Sequence, residues 1–307
     1  MKSILIAAPI SDSFRKFLSN DHFLIDLSSS GSSENIIGIV TSNKLNLQAE
    51  QLQSYPNLKW IARMGSGLEI VDQIYCREKG IQVFSSPAGI ANAVAEHLTG
   101  MLLSLRHHIC RSAQEIRQGH WLREPNRGRE LQHMTLGIIG YGHTGSAFAG
   151  KMQAFTQNIL AYDKYKSGFG NSIVREVSLN ELMERADIVS FHVPLTEETR
   201  HYYNDTWMKS MKHSHILLNA SRGAVVHTPT VLRGLQSGLI TGACLDVLEE
   251  ESLMPELLSH ENNLLAQIQS YPVIITPHIA GYTFEATEKM SEELMRQLLE
   301  QGLYPTR

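Results

Sequence analysis

The chain has 307 residues, 42% of them hydrophobic and 19% charged, and 27 Lys+Arg against 31 Asp+Glu give a net charge of −4. That length suggests two domains at roughly 150 residues each, and the balance lacks the basic footprint of a general nucleic-acid binder. Three distant cysteines, Cys76, Cys110 and Cys244, rule out a disulfide framework, contain no C-x-x-C metal pair and point to a reducing, cytoplasmic setting. The first apolar run, residues 4–8, is followed by polar Ser11-Asp12-Ser13 and reads as a buried strand rather than a secretory leader. No apolar run approaches the ~20 residues needed to span a bilayer, so membrane function is not expected.

Residues 1–90 alternate apolar runs (4–8, 36–40, 58–63, 81–84) with helix-compatible stretches, the pattern of a parallel α/β unit. Ser28-Ser-Ser-Gly-Ser-Ser33 is a low-complexity patch expected to form a surface loop. Then Val94, Leu98, Met101, Leu102, Leu105, Ile109 and Ile116 fall at one-sided helical spacing. The expected helix is capped by Asn92, ended by Gly119 and spans on the order of 40 Å. It can join two domains or pack against a second subunit. Strand–helix alternation resumes at residues 134–139, with further strands expected at 159–162, 188–191, 216–219, 243–246 and 273–276. Residues 283–307 read as a helix (Met290, Leu294, Leu298) with a short tail.

Gly140-Tyr-Gly-His-Thr-Gly145 is a G-x-G-x-x-G string, weak alone but here placed between an apolar run and a helical segment at 146–155. Gly140 allows the tight turn, Gly142 lets the backbone approach a pyrophosphate, and Gly145 permits close strand–helix packing. The phosphates then sit at a helix N-terminus. Asp163 ends the next strand, 18 residues past Gly145. A carboxylate there accepts from a ribose 2′-OH and repels a 2′-phosphate, which favours NAD, while nearby Lys164 and Lys166 soften that preference.

Four further segments add reaction chemistry. They are Asp187-Ile-Val-Ser-Phe-His-Val-Pro-Leu-Thr-Glu-Glu-Thr199, Asn219-Ala-Ser-Arg-Gly223, Cys244-Leu-Asp-Val-Leu-Glu-Glu-Glu251 and Thr276-Pro-His-Ile-Ala-Gly281. Taken in order with the glycine loop, they resemble the D-isomer-specific 2-hydroxyacid dehydrogenases, and the resemblance runs from Arg63-Met-Gly-Ser-Gly67 to His278. Oxidising a 2-hydroxy acid requires a base for the hydroxyl proton while hydride leaves C2, and histidine suits that task. His278 follows Pro277 at a strand end and takes this role. Glu251 pairs with it by family position, with Glu249 and Glu250 as alternates. Arg222 offers a planar fork for the substrate carboxylate. By resemblance Asp246 lies near the nicotinamide amide, and the cofactor-binding set is Gly140, Gly142, His143, Thr144, Gly145, Asp163, Val193, Pro194, Thr199, Ala220, Ser221, Asp246 and Gly281. Neither His107-His108 nor His213/His215 has a third ligand at metal spacing, so no metal is expected.

The resemblance implies an α/β fold of two doubly wound parallel-sheet domains with a cleft between them. A flavodoxin-like substrate domain spans residues 1–97 plus 282–307, and a Rossmann NAD-binding domain spans 98–281. The nearest branch resembled is the short D-3-phosphoglycerate dehydrogenases without a regulatory domain, in which Arg63, Ser66 and Gly67 form a substrate loop. Arg123, Arg127 and Arg129 either gather a phosphate, with a homodimer partner nearby, or are neutralised by Glu124 and Glu130. Departures from the branch are Ile90 for Asn, Glu69 for Asp and Ser252 for Pro, and the span from Glu251 to His278 is longer than usual. The leading expectation is therefore an NAD-dependent dehydrogenase of 3-phosphoglycerate, with a glyoxylate, hydroxypyruvate or other 2-keto acid reductase as the alternative. An NAD(H)-sensing corepressor is the non-enzymatic one.

Overall fold

A computed structural model describes residues 2–20, 22–26, 33–43, 45–249, 251 and 264–304. The chain forms two compact units, Met1–Ala93 with Gly281–Arg307, and Val94–Ala280.

The first unit carries a five-stranded parallel sheet of β1 (Ser3–Ala7), β2 (Phe23–Asp26), β3 (Ile36–Thr41), β4 (Trp60–Arg63) and β5 (Gln82–Ser85). Its order β2-β1-β3-β4-β5 is the flavodoxin-like one. Every residue of β1, β3 and β4 is buried, as expected of strands covered on both faces. Side chains alternate between two cores. Ile4, Ile6, Val40 and Trp60 pack with Met290, Leu294 and Leu298 of the C-terminal helix Phe284–Glu300. Leu5, Ile39 and Ile61 pack on the other face with Leu47, Leu52 and Cys76. Thr283 caps the C-terminal helix by accepting from the Ala286 N–H at 3.0 Å.

The second unit carries a seven-stranded parallel sheet of β6 (Thr135–Ile139), β7 (Asn158–Tyr162), β8 (Arg175–Glu176), β9 (Ile188–Phe191), β10 (His215–Asn219), β11 (Ile240–Leu245) and β12 (Val273–Ile275). Its order β12-β11-β10-β9-β6-β7-β8 is the Rossmann arrangement extended by one strand. The strand order reverses between β6 and β9, and on either side of that point the loops leave the carboxyl ends of neighbouring strands.

Two elements differ from the periodicity reading. The long helix begins at Pro87, where the fixed φ of proline suits a first helical turn, and not at Asn92. It also ends at Arg106. His108 takes a left-handed φ of 52°, and a second helix, Ile109–Arg117, follows. Ile109 and Ile116 continue the apolar spacing but are about half exposed, so their period does not face a core. The glycine-loop helix runs His143–Met152, three residues earlier than the apolar pattern suggests. Most of the 28–33 serine patch lies outside the described residues.

Candidate active site

The glycine loop joins β6 to the helix His143–Met152. Gly140 has φ 91°, and a β-carbon on Gly145 would overlap the Gly140 carbonyl oxygen, so both positions require glycine. Nothing lies within 4 Å of where a β-carbon of Gly142 would stand, so the loop is open beside the helix N-terminus. Gly142 is the N-cap and supplies no side-chain acceptor, which leaves the first N–H groups to an anionic ligand. At the end of β7, Asp163 accepts from the Tyr141 N–H through one oxygen and from the Tyr165 and Lys166 N–H groups through the other, at 2.9, 2.9 and 3.1 Å. Its charge is thus fixed beside the loop. These residues fit a dinucleotide without a 2′-phosphate, and they define the second unit as an NAD-binding one.

Both lysines expected to soften that preference are engaged. Lys164 pairs with Glu198, which also accepts from the Tyr165 hydroxyl, and the Lys166 ammonium donates to the Tyr141 carbonyl at 3.4 Å. Thr199 donates to the Pro194 carbonyl at 2.6 Å and accepts from the Thr196 N–H at 2.8 Å, which closes the turn after Val193.

Strands β10, β11 and β12 are neighbours, so the loops after them lie side by side at one sheet edge. At the end of β10, the buried Asn219 shapes the Ala220–Ser221–Arg222 turn. Its Oδ1 accepts from the Ser221 N–H and hydroxyl at 3.0 and 2.8 Å, and its amide donates to the Arg222 carbonyl at 2.9 Å. One Arg222 guanidinium nitrogen donates to the Ser221 carbonyl at 2.6 Å. After β11 comes Asp246, 1% exposed. Its carboxylate accepts from Thr276 Oγ1 at 2.6 Å and from the Ile279 and Ala280 N–H groups at 2.9 and 2.8 Å. Gly281 is the next residue.

Those bonds hold the segment that carries His278. Its N–H donates to the Asp246 carbonyl at 2.8 Å, and its φ of 56° is left-handed, a strained setting for a residue with a β-carbon. Its Nδ1–H donates to Glu251 Oε2 at 2.7 Å, while Glu251 Oε1 accepts from the Leu248 N–H at 3.2 Å. A carboxylate only accepts, so Nδ1 carries the hydrogen and Nε2 is left as the ring's site of proton exchange. Of the three adjacent glutamates, Glu251 is the one on His278. Glu249 instead accepts from His201 Nε2–H and the Thr228 N–H, both at 2.5 Å. Burial pushes the Glu249 carboxyl up, but those bonds outweigh it and hold it below the usual range. Glu250 lies outside the described residues.

Three residues that the sequence motifs gave no role support the site. Asn219 shapes the arginine turn. His192, after β9, bridges Ser190 Oγ at 2.9 Å and Thr144 Oγ1 at 3.2 Å. Burial pushes its ring down to about 3, so it ties the glycine loop as a neutral group. His97 Nε2–H donates to Thr276 Oγ1 at 3.0 Å, one step behind Asp246. For Asn219 and His192 a polar residue at or just past the end of an apolar strand was the available signal, whereas Thr144 and Thr276, the partners of His192 and His97, are too distant in sequence to see.

In the first unit, Arg63 is buried. It donates to the Met64 carbonyl at 2.8 Å and to Asn43 Oδ1 at 2.5 Å, tucked where a β-carbon on Gly65 would be. The Ser66 and Gly67 N–H groups have no hydrogen-bond partner among the described residues. In the 121–130 loop Arg127 forks onto Glu124 at 2.7 and 3.2 Å, while Arg123 is exposed. Among the described residues no group of three or more His, Cys, Asp or Glu is arranged to hold a metal.

A doubly wound parallel sheet with this cradle, and a histidine–carboxylate pair at its carboxyl edge, defines an NAD-dependent dehydrogenase. The family described as D-isomer specific 2-hydroxyacid dehydrogenase, NAD binding domain, matches residues 99–280. The glyoxylate reductase of Thermofilum pendens is 35% identical over 260 residues, 82% of this chain and 74% of that protein. The hydroxypyruvate reductase of Thermotoga maritima is 34% identical over 267 residues, 86% and 84%. A crystal structure of D-lactate dehydrogenase from Aquifex aeolicus, complexed with NAD and lactic acid, matches with TM-score 0.83 at 30% identity, covering 98% of this chain and 96% of that one. The chain belongs to the D-isomer specific 2-hydroxyacid dehydrogenase family, and is an NAD-dependent oxidoreductase.

Proposed function

We propose that the chain reduces a small unphosphorylated 2-keto acid, of the glyoxylate and hydroxypyruvate class, to the D-2-hydroxy acid. The observation that carries the reaction is the 2.7 Å bond from His278 Nδ1–H to Glu251, in a loop beside the one that bears Arg222. When bound at the glycine loop, NADH supplies the hydride to C2. Arg222 grips the substrate carboxylate with its planar fork and draws electron density from the adjacent carbonyl. His278 gives its Nε2 proton to the carbonyl oxygen as that oxygen gains charge. Glu251 stays ionised, keeps the ring's tautomer and orientation, and stabilises its charged form. In the first unit, the free N–H groups of Ser66 and Gly67 form a turn able to hold an anion, with Arg63 as the scaffold of that loop.

The charge arrangement favours an unphosphorylated acid. Arg127 is taken by Glu124 and Arg63 by its own loop. Ile90, where the phosphoglycerate branch has Asn, packs against an apolar core. Both curated relatives named above reduce unphosphorylated acids by their names. A phosphorylated substrate such as 3-phosphoglycerate is the second reading, favoured by Arg123 and Arg129, whose guanidinium groups have no hydrogen-bond partner among the described residues. Absorbance of reduced nicotinamide over a panel of 2-keto acids, with and without phosphate, decides between them. The highest kcat/KM should fall on glyoxylate or hydroxypyruvate, and a phosphorylated winner would reverse the substrate assignment.

A homodimer belongs to the same reading. Ile109, Ile116, Trp121 and Leu122 are large apolar side chains exposed along one stretch, and a second copy would cover them. Light scattering should give twice the chain mass, and Trp121→Ser should move it toward the monomer. The free cysteines suit a cytoplasmic setting.

A further inference from the structure

Behind the two loops that carry Arg222 and Glu251 stands a second histidine–glutamate pair. His201 has a left-handed φ of 50° on the turn after Thr199. Its N–H donates to the Ala224 carbonyl at 2.7 Å, two residues from Arg222. Its ring Nε2–H donates to Glu249 Oε1 at 2.5 Å, two residues from Glu251. The other Glu249 oxygen accepts from the Thr228 N–H at 2.5 Å, at the start of the helix Thr228–Ser237. The same turn is laced to the arginine loop by the Tyr203 N–H on the Val225 carbonyl at 3.1 Å and the His227 N–H on the Tyr203 carbonyl at 3.0 Å. A β-carbon on Gly223 would overlap the Leu248 carbonyl, so the arginine loop and the glutamate loop touch backbone to backbone.

We infer that His201 and Glu249 are positioning residues that hold the Arg222 loop and the Glu251 loop in register with each other. This inference rests on the proposed roles of Arg222, Glu251 and His278. The reason for such a brace is geometric. The Glu251 carboxylate is aimed at His278 from the Leu248 N–H, and Leu248 adjoins Glu249. If Glu249 lets go, the donor that aims Glu251 drifts with it. Displacements near 1 Å of groups that orient reacting atoms cost on the order of 100-fold in rate. Both members of the pair are partly open to solvent, 40% and 21% by side chain. A half-exposed pair contributes little to stability, so its loss should show in turnover before it shows in melting.

The test uses the full chain with NADH and the best 2-keto acid of the panel. His201→Asn removes the ring bond yet tolerates left-handed backbone, and Glu249→Ala removes both carboxylate bonds. Each should lower kcat about ten-fold, with the NADH dissociation constant, read by fluorescence, within two-fold of the parent. The double variant should lose no more than the worse single one, as for a pair that acts as a unit. Glu249→Gln keeps an acceptor for the Thr228 N–H or the His201 ring and should recover most of the loss. Turnover within two-fold of the parent in both single variants overturns the brace. So do losses that multiply in the double variant, or a loss that follows a lowered melting temperature and is not restored by Glu249→Gln. The underlying roles are checked separately with Glu251→Gln and His278→Ala. Normal turnover in those two removes the brace along with the roles, whereas their collapse beside normal His201 and Glu249 variants removes the brace alone.

Discussion

His278 is held in a backbone conformation that its own β-carbon opposes, and three sets of bonds keep it there: its N–H on Asp246, its ring on Glu251, and the next two N–H groups on the Asp246 carboxylate. Strain of this kind costs on the order of 1–3 kcal/mol and persists where the surroundings over-determine it. Replacing the ring therefore removes the proposed proton donor without removing the scaffold. His278→Ala should lower kcat by 100-fold or more while near-normal NADH affinity is kept, and a kcat within ten-fold would take His278 out of its role. Arg222→Ala should instead act on the acid, with kcat/KM for the keto acid falling at least as far and NADH binding unchanged. At the other end of the cofactor loop, the Asp163 carboxylate is held in place by three backbone N–H donors and the nearby lysines are engaged elsewhere. Asp163→Ala should raise kcat/KM with NADPH relative to NADH, and an unchanged ratio would show that discrimination lies in another residue. The residue types proposed to do the chemistry are readable from the strings around Arg222 and His278. Which of three consecutive glutamates faces the histidine is not, because Glu249 is engaged by His201, nearly fifty positions away, and nothing local in the sequence displays that contact.

At the scale of elements, legibility follows burial. Central strands such as β3 and β9 are buried throughout and mostly apolar because both faces are covered, and their runs stand out in the sequence. The edge strand β2 is four residues long and half exposed, and β8 is a two-residue edge, so neither leaves a periodic trace. The helix that ends at Arg106 shows the opposite failure. Its apolar spacing runs on through Ile109 and Ile116 although the backbone turns at His108, because a second, solvent-facing stripe happens to keep phase. One buried element also leaves a signature in pH. His215 opens β10, is 1% exposed, and its Nε2 meets the Tyr203 hydroxyl at 2.8 Å. Burial pushes its ring down to about 4, against an ordinary value near 6.5. Between those two values the unfolded chain binds a proton that the folded chain does not, so stability falls as pH drops through 6.5 toward 4. The loss attributable to this ring is on the order of 3 kcal/mol. Urea unfolding at pH 7.5, 6 and 5 should show a shallower decline for His215→Gln than for the parent. Parallel curves would place the acid sensitivity in other groups.

At the scale of the whole molecule, chain order makes the two units unequal. Val94–Ala280 is one continuous segment, whereas the other unit is assembled from Met1–Ala93 and Gly281–Arg307. If the continuous unit unfolds first, the two pieces of the other are joined by a loop of 187 residues (94 through 280). Closing a flexible loop of that length costs about 5 kcal/mol on the logarithmic scaling of loop entropy. Unfolding the discontinuous unit first imposes no such penalty on its neighbour. The order of unfolding should therefore be fixed, and two tryptophans report it. Trp60 is buried in the core of the discontinuous unit and Trp207 in the core of the continuous one. Chains that keep only Trp60 or only Trp207, with Phe at the other tryptophans, allow each to be followed in turn. NADH at 100 times its dissociation constant should stabilise the unit it binds by about 2.7 kcal/mol, and the family match assigns that unit to residues 99–280. The Trp207 transition should move up with NADH, and the Trp60 transition should come no later than it under either condition. A Trp60 signal that persists after Trp207 has lost its own would mean that the discontinuous unit holds together across an unfolded insert, and the loop-closure ordering would be wrong.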